Sequence, residues 1–233
     1  MEHTVKQFDN ELEHLRAEVL KMGGLVEEQI NSALSACIEG DLELASKVET
    51  NDHKVNSMEV NIDEEVSSVI ARRQPAAGDL RMLMMVVKTI TDLERIGDEA
   101  TKIARMTKLI QKEDYSIKLP RTEEIRHMSN MSVGMLRTAL DAFARLDLGA
   151  TGDVLREDEK VDDSFRGVLR QLITFMMEDP RTISSAIETL FIAKAIERIG
   201  DHAKNISEYV VYMVNGKDVR HLAPEEKEQV ALG

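Results

Sequence analysis

The sequence predicts an all-α protein, a tandem repeat of two antiparallel three-helix bundles. The segment Glu-Arg-Ile-Gly-Asp at residues 94–98 occurs again, unchanged, at residues 197–201, which indicates that the chain consists of two related halves. Apolar residues recur at spacings of three and four along most of the chain, as they do on one face of an amphipathic helix. No alternation of apolar and polar residues indicates a strand, and only 4 prolines interrupt the helical pattern.

Three apolar stripes account for the first half. The first stripe spans residues 5–38. A short helical piece at residues 42–48 is predicted to precede a second long helix, whose stripe spans residues 55–69. The third stripe spans residues 80–103. Asp79 is the predicted N-cap of this third helix, because a short acidic side chain can accept hydrogen bonds from the first backbone N–H groups. Three such helices can close a core of their own.

The second half repeats this order. Its stripes span residues 125–146, 161–175 and about 182–214. The segment between the halves contains a proline and follows no helical period, so we expect a linker there. The end of the chain is polar, and we expect it to be loosely held. The predicted organisation is a first three-helix bundle at 1–112, a linker at 113–121, a second bundle at 122–216 and a polar tail at 217–233.

Composition and charge exclude several classes of protein. The net charge is −13 and no basic stripe is present, so we expect no nucleic-acid partner, whereas metal ions and basic protein surfaces fit this charge. Cys37 is the only cysteine, which excludes an intramolecular disulfide and fits a reducing compartment. No apolar run approaches the length of a membrane span, and the N-terminus lacks the pattern of a secretory signal. We therefore expect a cytoplasmic protein.

Pairs of carboxylates at a spacing of four recur in both halves. The pairs are Glu59 with Asp63 and Glu94 with Asp98 in the first half, and Asp158 with Asp162 and Glu197 with Asp201 in the second. Residues four apart lie on the same face of a helix, where like charges repel each other and a cation would offset the repulsion. Oxygen ligands suit hard cations such as Mg²⁺, Mn²⁺, Ca²⁺ or iron. Alternatively, duplication copied an ordinary exposed turn, whose acids Arg95 and Arg198 neutralise.

The expected position of these acids is the bundle surface. A rotation of about 100° per residue places Glu59 and Glu94 beside the apolar stripes of their helices. The same geometry places Glu197 and Asp201 further round, towards solvent. We therefore expect open grooves that hold cations, and not a cage in the core. His202 follows Asp201 directly and is either a solvated surface histidine or a member of the second site.

A rival hypothesis comes from two Glu-x-x-His motifs, which join Glu11 to His14 and Glu124 to His127. Two such motifs, with carboxylates from two other helices, form the di-iron site of ferritin-like proteins. That site requires inward ligands, whereas both histidines point away from their own apolar stripes. A metal-dependent enzyme or metal store is therefore the alternative function. The sequence contains no Gly-rich phosphate loop and no Ser or Cys set beside a histidine, so we predict no catalytic residues.

The chain resembles the PhoU family, the regulatory proteins of bacterial phosphate transport. The resemblance covers essentially the whole chain and rests on the repeated Glu-Arg-Ile-Gly-Asp together with several shorter motifs. These motifs are Met-Gly-Gly at 22–24, Arg-Gln-Pro at 73–75, Asp-Leu-Arg at 79–81 and Asp-Ala-Phe-Ala-Arg at 141–145.

This resemblance implies a non-enzymatic protein, often a homodimer, that represses the phosphate-starvation regulon when phosphate is plentiful. It also implies an adaptor between the ATPase subunit of the phosphate ABC transporter and a sensor histidine kinase. Such a protein is cytoplasmic and could meet the inner membrane through these partners.

The family also implies metal ions, divalent or trivalent (Mg, Mn, Fe, or Zn/Ni), bound through Glu/Asp-x-x-x-Asp motifs. In this chain those motifs are Glu59 with Asp63, Glu94 with Asp98 and Glu197 with Asp201. The fifth helix departs from the pattern, because Phe165 stands at the position of Glu59. Asp158 and Asp162 are for that reason weaker assignments, and the second site is expected to bind fewer ions or to bind them differently.

Overall fold

The computed structural model describes residues 6–112 and 122–219, together with residues 222, 226, 227 and 230. Six long helices account for nearly all of these residues, with a single 3-10 turn and no strand within the described ranges. The helices are α1 (Lys6–Glu39), α2 (Leu42–Arg73), α3 (Ala77–Lys112), α4 (Thr122–Arg145), α5 (Gly149–Glu178) and α6 (Ile183–Asn215). The predicted all-α class, with three helices in each half, is confirmed. None of the described helices carries an apolar stretch sufficient to span a lipid bilayer.

The helix ends follow from local chemistry. Asp41 is the N-cap of α2, and its carboxylate accepts hydrogen bonds of 2.9 Å from the backbone N–H groups of Glu43 and Leu44. Gly40 and Gly216 follow α1 and α6 with φ values of 71° and 70°. Glycine adopts this left-handed conformation without a steric cost, which allows each helix to end there.

Two predicted helix boundaries are wrong. The short piece at residues 42–48 is not separate, because α2 continues without a break to Arg73. Val48 and Val55 are both buried and lie seven residues apart, about two helical turns, so the apolar stripe crosses the polar stretch between them. Asp79 is not an N-cap, since α3 begins two residues earlier, and it instead provides a negative charge in the first turn. The predicted linker at 113–121 lies outside the described residues.

The two halves share a core. Helices α3 and α6 pack along each other at the centre of the molecule, α1 contacts α4, and α2 and α5 lie on the outer sides. Buried apolar residues of all six helices form one continuous cluster, so the two bundles do not close separate cores. The predicted acids lie on two of the packed helix pairs, α2 with α3 in the first half and α5 with α6 in the second. We call the acidic surface where α2 packs on α3 the first-half groove.

The described part of the C-terminal tail is not loosely held, contrary to expectation. Val219 is only 1% exposed and packs against Val211 of α6. Lys227 donates a hydrogen bond of 2.6 Å to the buried carboxylate of Glu208, and Asn215 donates one of 2.8 Å to the backbone carbonyl of Val230. An apolar contact and an ion pair therefore attach these residues to α6, which composition alone does not indicate.

Two adjacent glycines allow a matched test of the contact between α1 and α4. A Cβ atom at Gly23 would lie 2.6 and 2.9 Å from the two methyl groups of Leu140, whereas a Cβ at Gly24 would meet nothing within 4 Å. We expect Gly24→Ala to stabilise the protein by about 0.5–1 kcal/mol through helix propensity. Gly23→Ala should lose that gain and be less stable than Gly24→Ala by about 1–3 kcal/mol because the core is overpacked.

Urea denaturation of the two variants measures this difference. Adding Leu140→Ala should relieve the overpacking, so the alanine at position 23 should cost less in that background. Equal free energies of unfolding for the two single variants would contradict close packing of α1 on α4.

Candidate functional site

The first-half groove is lined by the four predicted carboxylates and by one carboxylate that sequence analysis missed. Glu59 and Asp63 lie on α2, Glu94 and Asp98 lie on α3, and Asp52 lies on α2, about two turns before Glu59. Glu59 and Glu94 are half-buried, while Asp63 and Asp98 are exposed. The charge of Glu59 on α2 acts on Glu94 of α3. The structure therefore brings together acids that the sequence predicted for this half.

Burial and mutual repulsion raise the pKa values of three of these acids. Burial is the main cause for Glu94, whose pKa is raised further by the charges of Asp98, Glu59 and Asp52 and lowered slightly by the charge of Arg95. Burial and the charge of Asp52 likewise raise the pKa of Asp98, against an opposing effect of Arg105. Burial and the charge of Asp63 raise the pKa of Glu59. Each of these three carboxylates therefore loses its proton less readily than an isolated one, as expected where nearby negative charges outweigh nearby positive charges.

No cation in the described part of the chain pairs with the four predicted acids. Within residues 6–112 and 122–219, Glu59, Asp63, Glu94 and Asp98 have no ion pair with a lysine, arginine or histidine. Arg95 is exposed and forms no ion pair with Glu94. The charges of Arg95 and Arg105 act without direct contact and only partly offset the raised pKa values of Glu94 and Asp98. The first-half groove therefore keeps a negative charge that the arginines compensate only in part.

Asp52 belongs to a network at the base of this groove. Its Oδ1 atom accepts hydrogen bonds from Gln29 Nε2 at 2.9 Å and from Thr101 Oγ1 at 3.0 Å. Gln29 also donates to the backbone carbonyl of Gly97 at 3.3 Å. A Cβ atom at Gly97 would lie 3.3 Å from Gln29 Oε1 and 3.4 Å from a methyl group of Val55. The glycine of the repeated motif therefore allows α1 and α2 to approach α3 closely.

The second half places its acids beside lysines. Lys204 Nζ lies 2.6 Å from Asp158 Oδ2 and 3.1 Å from Asp201 Oδ1, so one ammonium group joins α5 to α6. Lys194 pairs with Glu197 Oε1. Asp162 is 4.0 Å from a guanidinium nitrogen of Arg166. We call Asp158, Asp162, Glu197 and Asp201 the second-half cluster. Neither lysine was identified by sequence analysis.

The predicted exposure of Glu197 is wrong. This residue is only 9% exposed, and its Oε2 atom is buried without a hydrogen-bond partner in the described part of the chain. A single apolar stripe on α6 predicts only one buried face. Because α6 packs against α3, α4 and α5, most of its circumference is covered. Asp201, by contrast, is partly exposed, with 44% of its side-chain surface accessible.

Burial and ion pairing shift the pKa values of the second-half cluster in opposite directions. Burial raises the pKa of Asp158, and the hydrogen bond and charge of Lys204 partly offset that rise. Burial alone would lower the pKa of Lys204, but its bonds to the two aspartates raise the pKa well above the ordinary value. Lys204 therefore remains an ammonium group throughout the physiological pH range.

The two halves fit a metal ion unequally. Among the described residues, no three His, Cys, Asp or Glu side chains lie close enough together to form a preassembled metal site. In the first-half groove, hard oxygen donors with excess negative charge suit a cation, and exposed carboxylates can rotate to meet it. In the second-half cluster, an ammonium group already lies between Asp158 and Asp201.

The ferritin-like alternative is not assembled in the described residues. The carboxylate of Glu11 accepts two hydrogen bonds of 2.9 Å from Arg73, so both of its oxygens are paired with a guanidinium group. His14 is exposed and lies 3.5 Å from Glu65, and His127 is also exposed. Neither histidine projects into the core, as the di-iron site would require.

His202 takes neither of its predicted roles. Only 16% of its side chain is exposed, and its Nδ1 lies 2.7 Å from the buried carboxylate of Asp92 on α3. Arg198 likewise contacts α3, where it donates a hydrogen bond of 3.0 Å to Glu99 and not to the acids of its own motif. Both side chains therefore stabilise the packing of α6 on α3.

Comparison with known proteins agrees with this fold and this repeat. The PhoU domain model matches residues 19–107 and 125–210, one match in each half. The phosphate-specific transport system accessory protein PhoU homolog of Pseudomonas putida is 49% identical over 94% of this chain and 85% of its own length. The phosphate-specific transport system accessory protein PhoU of Escherichia coli (strain K12) is 44% identical over 99% of this chain and 95% of its own length.

Solved structures give the same result. The crystal structure of PhoU from Pseudomonas aeruginosa matches with a TM-score of 0.86 and 46% identity, covering 90% of this chain and 100% of that chain. The phosphate transport system regulatory protein PhoU from Streptococcus pneumoniae matches with a TM-score of 0.83 and 30% identity, covering 91% of this chain and 99% of that chain. With the family match in both halves and near-complete coverage of its relatives, the chain belongs to the PhoU family.

Proposed function

We propose that this protein regulates phosphate transport and represses phosphate-starvation genes when phosphate is plentiful. The observation that carries the proposal is similarity over nearly the full length of relatives named as phosphate-specific transport system accessory proteins. One structural relative is also named as a phosphate transport system regulatory protein. The protein acts without catalysis, in the cytoplasm, as an adaptor between the ATPase subunit of the phosphate ABC transporter and a sensor histidine kinase. We further propose that it acts as a homodimer.

Two exposed apolar patches, one at each end of the contact between α3 and α6, support the adaptor role. At one end, Leu80 and Met84 are exposed beside a cavity of about 480 Å³ between the start of α3 and the end of α6. At the other end, Leu109, Ile187 and Phe191 are exposed beside a cavity of about 470 Å³. Exposed apolar side chains gathered in this way are typical of surfaces that bind other proteins.

Cation binding is the second part of the proposal. Glu59, Asp63, Glu94 and Asp98 of the first-half groove are the proposed ligands for a hard cation such as Mg²⁺, Mn²⁺ or iron. What supports this assignment is four carboxylates on two adjacent helices that have no ion pair among the described residues and whose charge Arg95 and Arg105 offset only in part. A bound cation would supply positive charge and join α2 to α3. The protein's own contribution is to hold the acids on one face, with Asp52 fixed beneath them by Gln29 and Thr101.

A deletion strain tests the regulatory proposal. We expect a phosphate-starvation reporter to be expressed in phosphate-rich medium when the gene is deleted, and repression to return when the gene is supplied on a plasmid. Deleting the kinase gene as well should abolish the expression, because the proposed adaptor acts through the kinase. Normal repression in the single deletion would count against the regulatory role. Expression that persists without the kinase would count against the adaptor role.

A further inference from the structure

The duplication allows each residue of the two acidic regions to be compared with its counterpart. The repeated motif pairs Glu94 with Glu197, and the same alignment of α3 with α6 pairs Thr101 with Lys204 and Thr91 with Lys194. The similar segments at 52–55 and 158–161 pair Asp52 with Asp158. Asp52 in the first half therefore has a neutral threonine as its neighbour, whereas its counterpart Asp158 in the second half has a lysine.

The contacts confirm that this exchange falls at equivalent positions. Thr101 donates a hydrogen bond of 3.0 Å to Asp52 and adds no charge. Lys204 donates hydrogen bonds to Asp158 at 2.6 Å and to Asp201 at 3.1 Å, with 23% of its side chain exposed. One ammonium group thus connects carboxylates of two different helices, which is the connection that the first half lacks.

The residue that faces the glycine of the motif also differs between the halves. A Cβ atom at Gly97 would lie 3.3 Å from Gln29 Oε1, whereas a Cβ atom at Gly200 would lie 3.5 Å from the side chain of Met135. In the first half the amide of Gln29 therefore donates a hydrogen bond to Asp52. In the second half an apolar methionine faces the glycine, and Lys204 donates to Asp158.

We propose that Lys204 is a built-in cation that takes the place of a metal ion in the second-half cluster, so that only the first half responds to metal ions. This inference rests on the proposed cation binding of the first-half groove. The ammonium group supplies a positive charge and hydrogen bonds to the two aspartates, with Lys194 supplying a second charge at Glu197. A metal ion would have to displace a lysine already bonded to two carboxylates, and the buried acids would lose that partner.

The predicted consequence is a division of roles between the halves. In the second half, the contact between α5 and α6 keeps its cation at every ion concentration, because that cation is the ammonium group of Lys204. The first half has five carboxylates, no lysine bonded to them and only the distant charges of Arg95 and Arg105, so a bound cation would supply the compensation that Lys204 supplies in the second half. Any conformational response to metal ions should therefore be confined to the contact between α2 and α3.

The test replaces Lys204 with the threonine of the first half. Equilibrium dialysis with Mn²⁺, followed by metal analysis, is carried out on the full chain with Glu94→Gln and Asp98→Asn. These two changes remove two of the proposed ligands of the first-half groove. We expect this background to bind no Mn²⁺, and the addition of Lys204→Thr to create binding of at least one ion per chain. Further addition of Glu197→Gln and Asp201→Asn should remove the new binding. Lys204→Arg, which keeps the charge, should create none.

A matched control and a fold check accompany the test. Lys160→Thr removes an exposed lysine paired with Glu157 on α5 and should leave Mn²⁺ binding unchanged. Circular dichroism establishes that each variant keeps its helical content. If Lys204→Thr does not fold, Glu197→Gln with Asp201→Asn in the otherwise unchanged chain gives the answer, since this change should leave the Mn²⁺ stoichiometry equal to that of the parent.

The outcomes separate this inference from the proposed function. Mn²⁺ binding at the second-half cluster while Lys204 is present, or no gain of binding in a folded Lys204→Thr variant, would overturn the inference. Absence of Mn²⁺ binding in the unmodified chain would instead count against the proposed cation binding of the first half. In that case, binding created by Lys204→Thr would still support the role of the lysine.

Discussion

Replacing Asp92 with alanine is expected to lower the free energy of unfolding by about 3–5 kcal/mol, because each buried group left without its hydrogen-bond partner costs about 1–3 kcal/mol. Asp92 is 3% exposed and lies where α3 packs on α6. Its carboxylate accepts hydrogen bonds from the hydroxyl of Tyr209 at 2.7 Å and from the side-chain amide of Asn205 at 3.3 Å. His202 Nδ1 lies 2.7 Å away. Alanine would leave all three α6 side chains without this partner, so the junction between the halves should weaken.

The matched control lies on the same helix. Asp98→Ala removes an exposed aspartate that has no ion pair in the described part of the chain, so it should leave stability unchanged or raise it slightly. Asp92→Asn keeps the shape and part of the hydrogen bonding, so it should cost less than alanine. Urea unfolding followed by circular dichroism measures all three variants. A free energy of unfolding for Asp92→Ala within about 1 kcal/mol of Asp98→Ala would contradict a structural role for the junction.

Apolar spacing was sufficient to predict the helices because each one has an apolar face towards a common core. It failed at a helix boundary for a physical reason. The stretch between Val48 and Val55 is polar, and polarity alone suggested a break, yet both valines are buried on one face of a continuous helix. The inner position between the two valines is taken by Asp52, whose carboxylate is hydrogen-bonded to Gln29 and Thr101. A polar residue can therefore continue the inner face of a helix when neighbouring helices provide its hydrogen bonds.

The candidate site was predicted less completely than the fold. Spacing within one helix identified Glu94 with Asp98, because an i, i+4 pair is a local property. Spacing could not identify Lys204, whose importance comes from Asp158 on another helix. The comparison of the two copies, residue by residue, contained the missing signal, because it places a lysine opposite Thr101.

Buried polar groups were the other class of residue that sequence analysis missed. Asp92 lies between apolar positions of α3, and a lone aspartate in a helix is usually solvated. Its partners come from α6, more than a hundred positions later in the chain, so no local pattern indicates them. Glu197 was misplaced for the same reason, since its burial depends on three neighbouring helices.

The second large effect is expected when the first-half groove is neutralised by Glu59→Gln, Glu94→Gln and Asp98→Asn together. Without divalent cations at neutral pH, this triple variant should be more stable than the parent by about 1 kcal/mol, because repulsion between like charges is removed on and between α2 and α3. With Mn²⁺ the order should reverse. A cation at a hundred times its dissociation constant stabilises the folded parent by about 2.7 kcal/mol, and the variant has lost its ligands.

The dependence on pH follows from the raised pKa values of these three acids. Because the folded state binds protons more readily than the unfolded state does, the stability that protonation contributes is complete below the unfolded-state pKa values. It is lost as the pH rises through the higher folded-state values. The difference between variant and parent should therefore be small in acid and should grow towards neutral pH. Cation binding should weaken in acid, since protons and metal ions compete for the same oxygens.

A pair of acids with the same spacing provides the control for this experiment. Asp153 and Glu157 on α5 are also four residues apart, but each has a cation partner, Arg156 at 2.6 Å and Lys160 at 2.8 Å. Neutralising this pair should not raise stability at neutral pH, because it removes attraction as well as repulsion, and it should leave the response to Mn²⁺ intact. Thermal unfolding with and without Mn²⁺ across the acid-to-neutral range decides the matter. If Mn²⁺ stabilises the triple variant as much as the parent, the ligands lie elsewhere. If it stabilises neither, the first-half groove is an acidic surface that the protein uses for a different purpose.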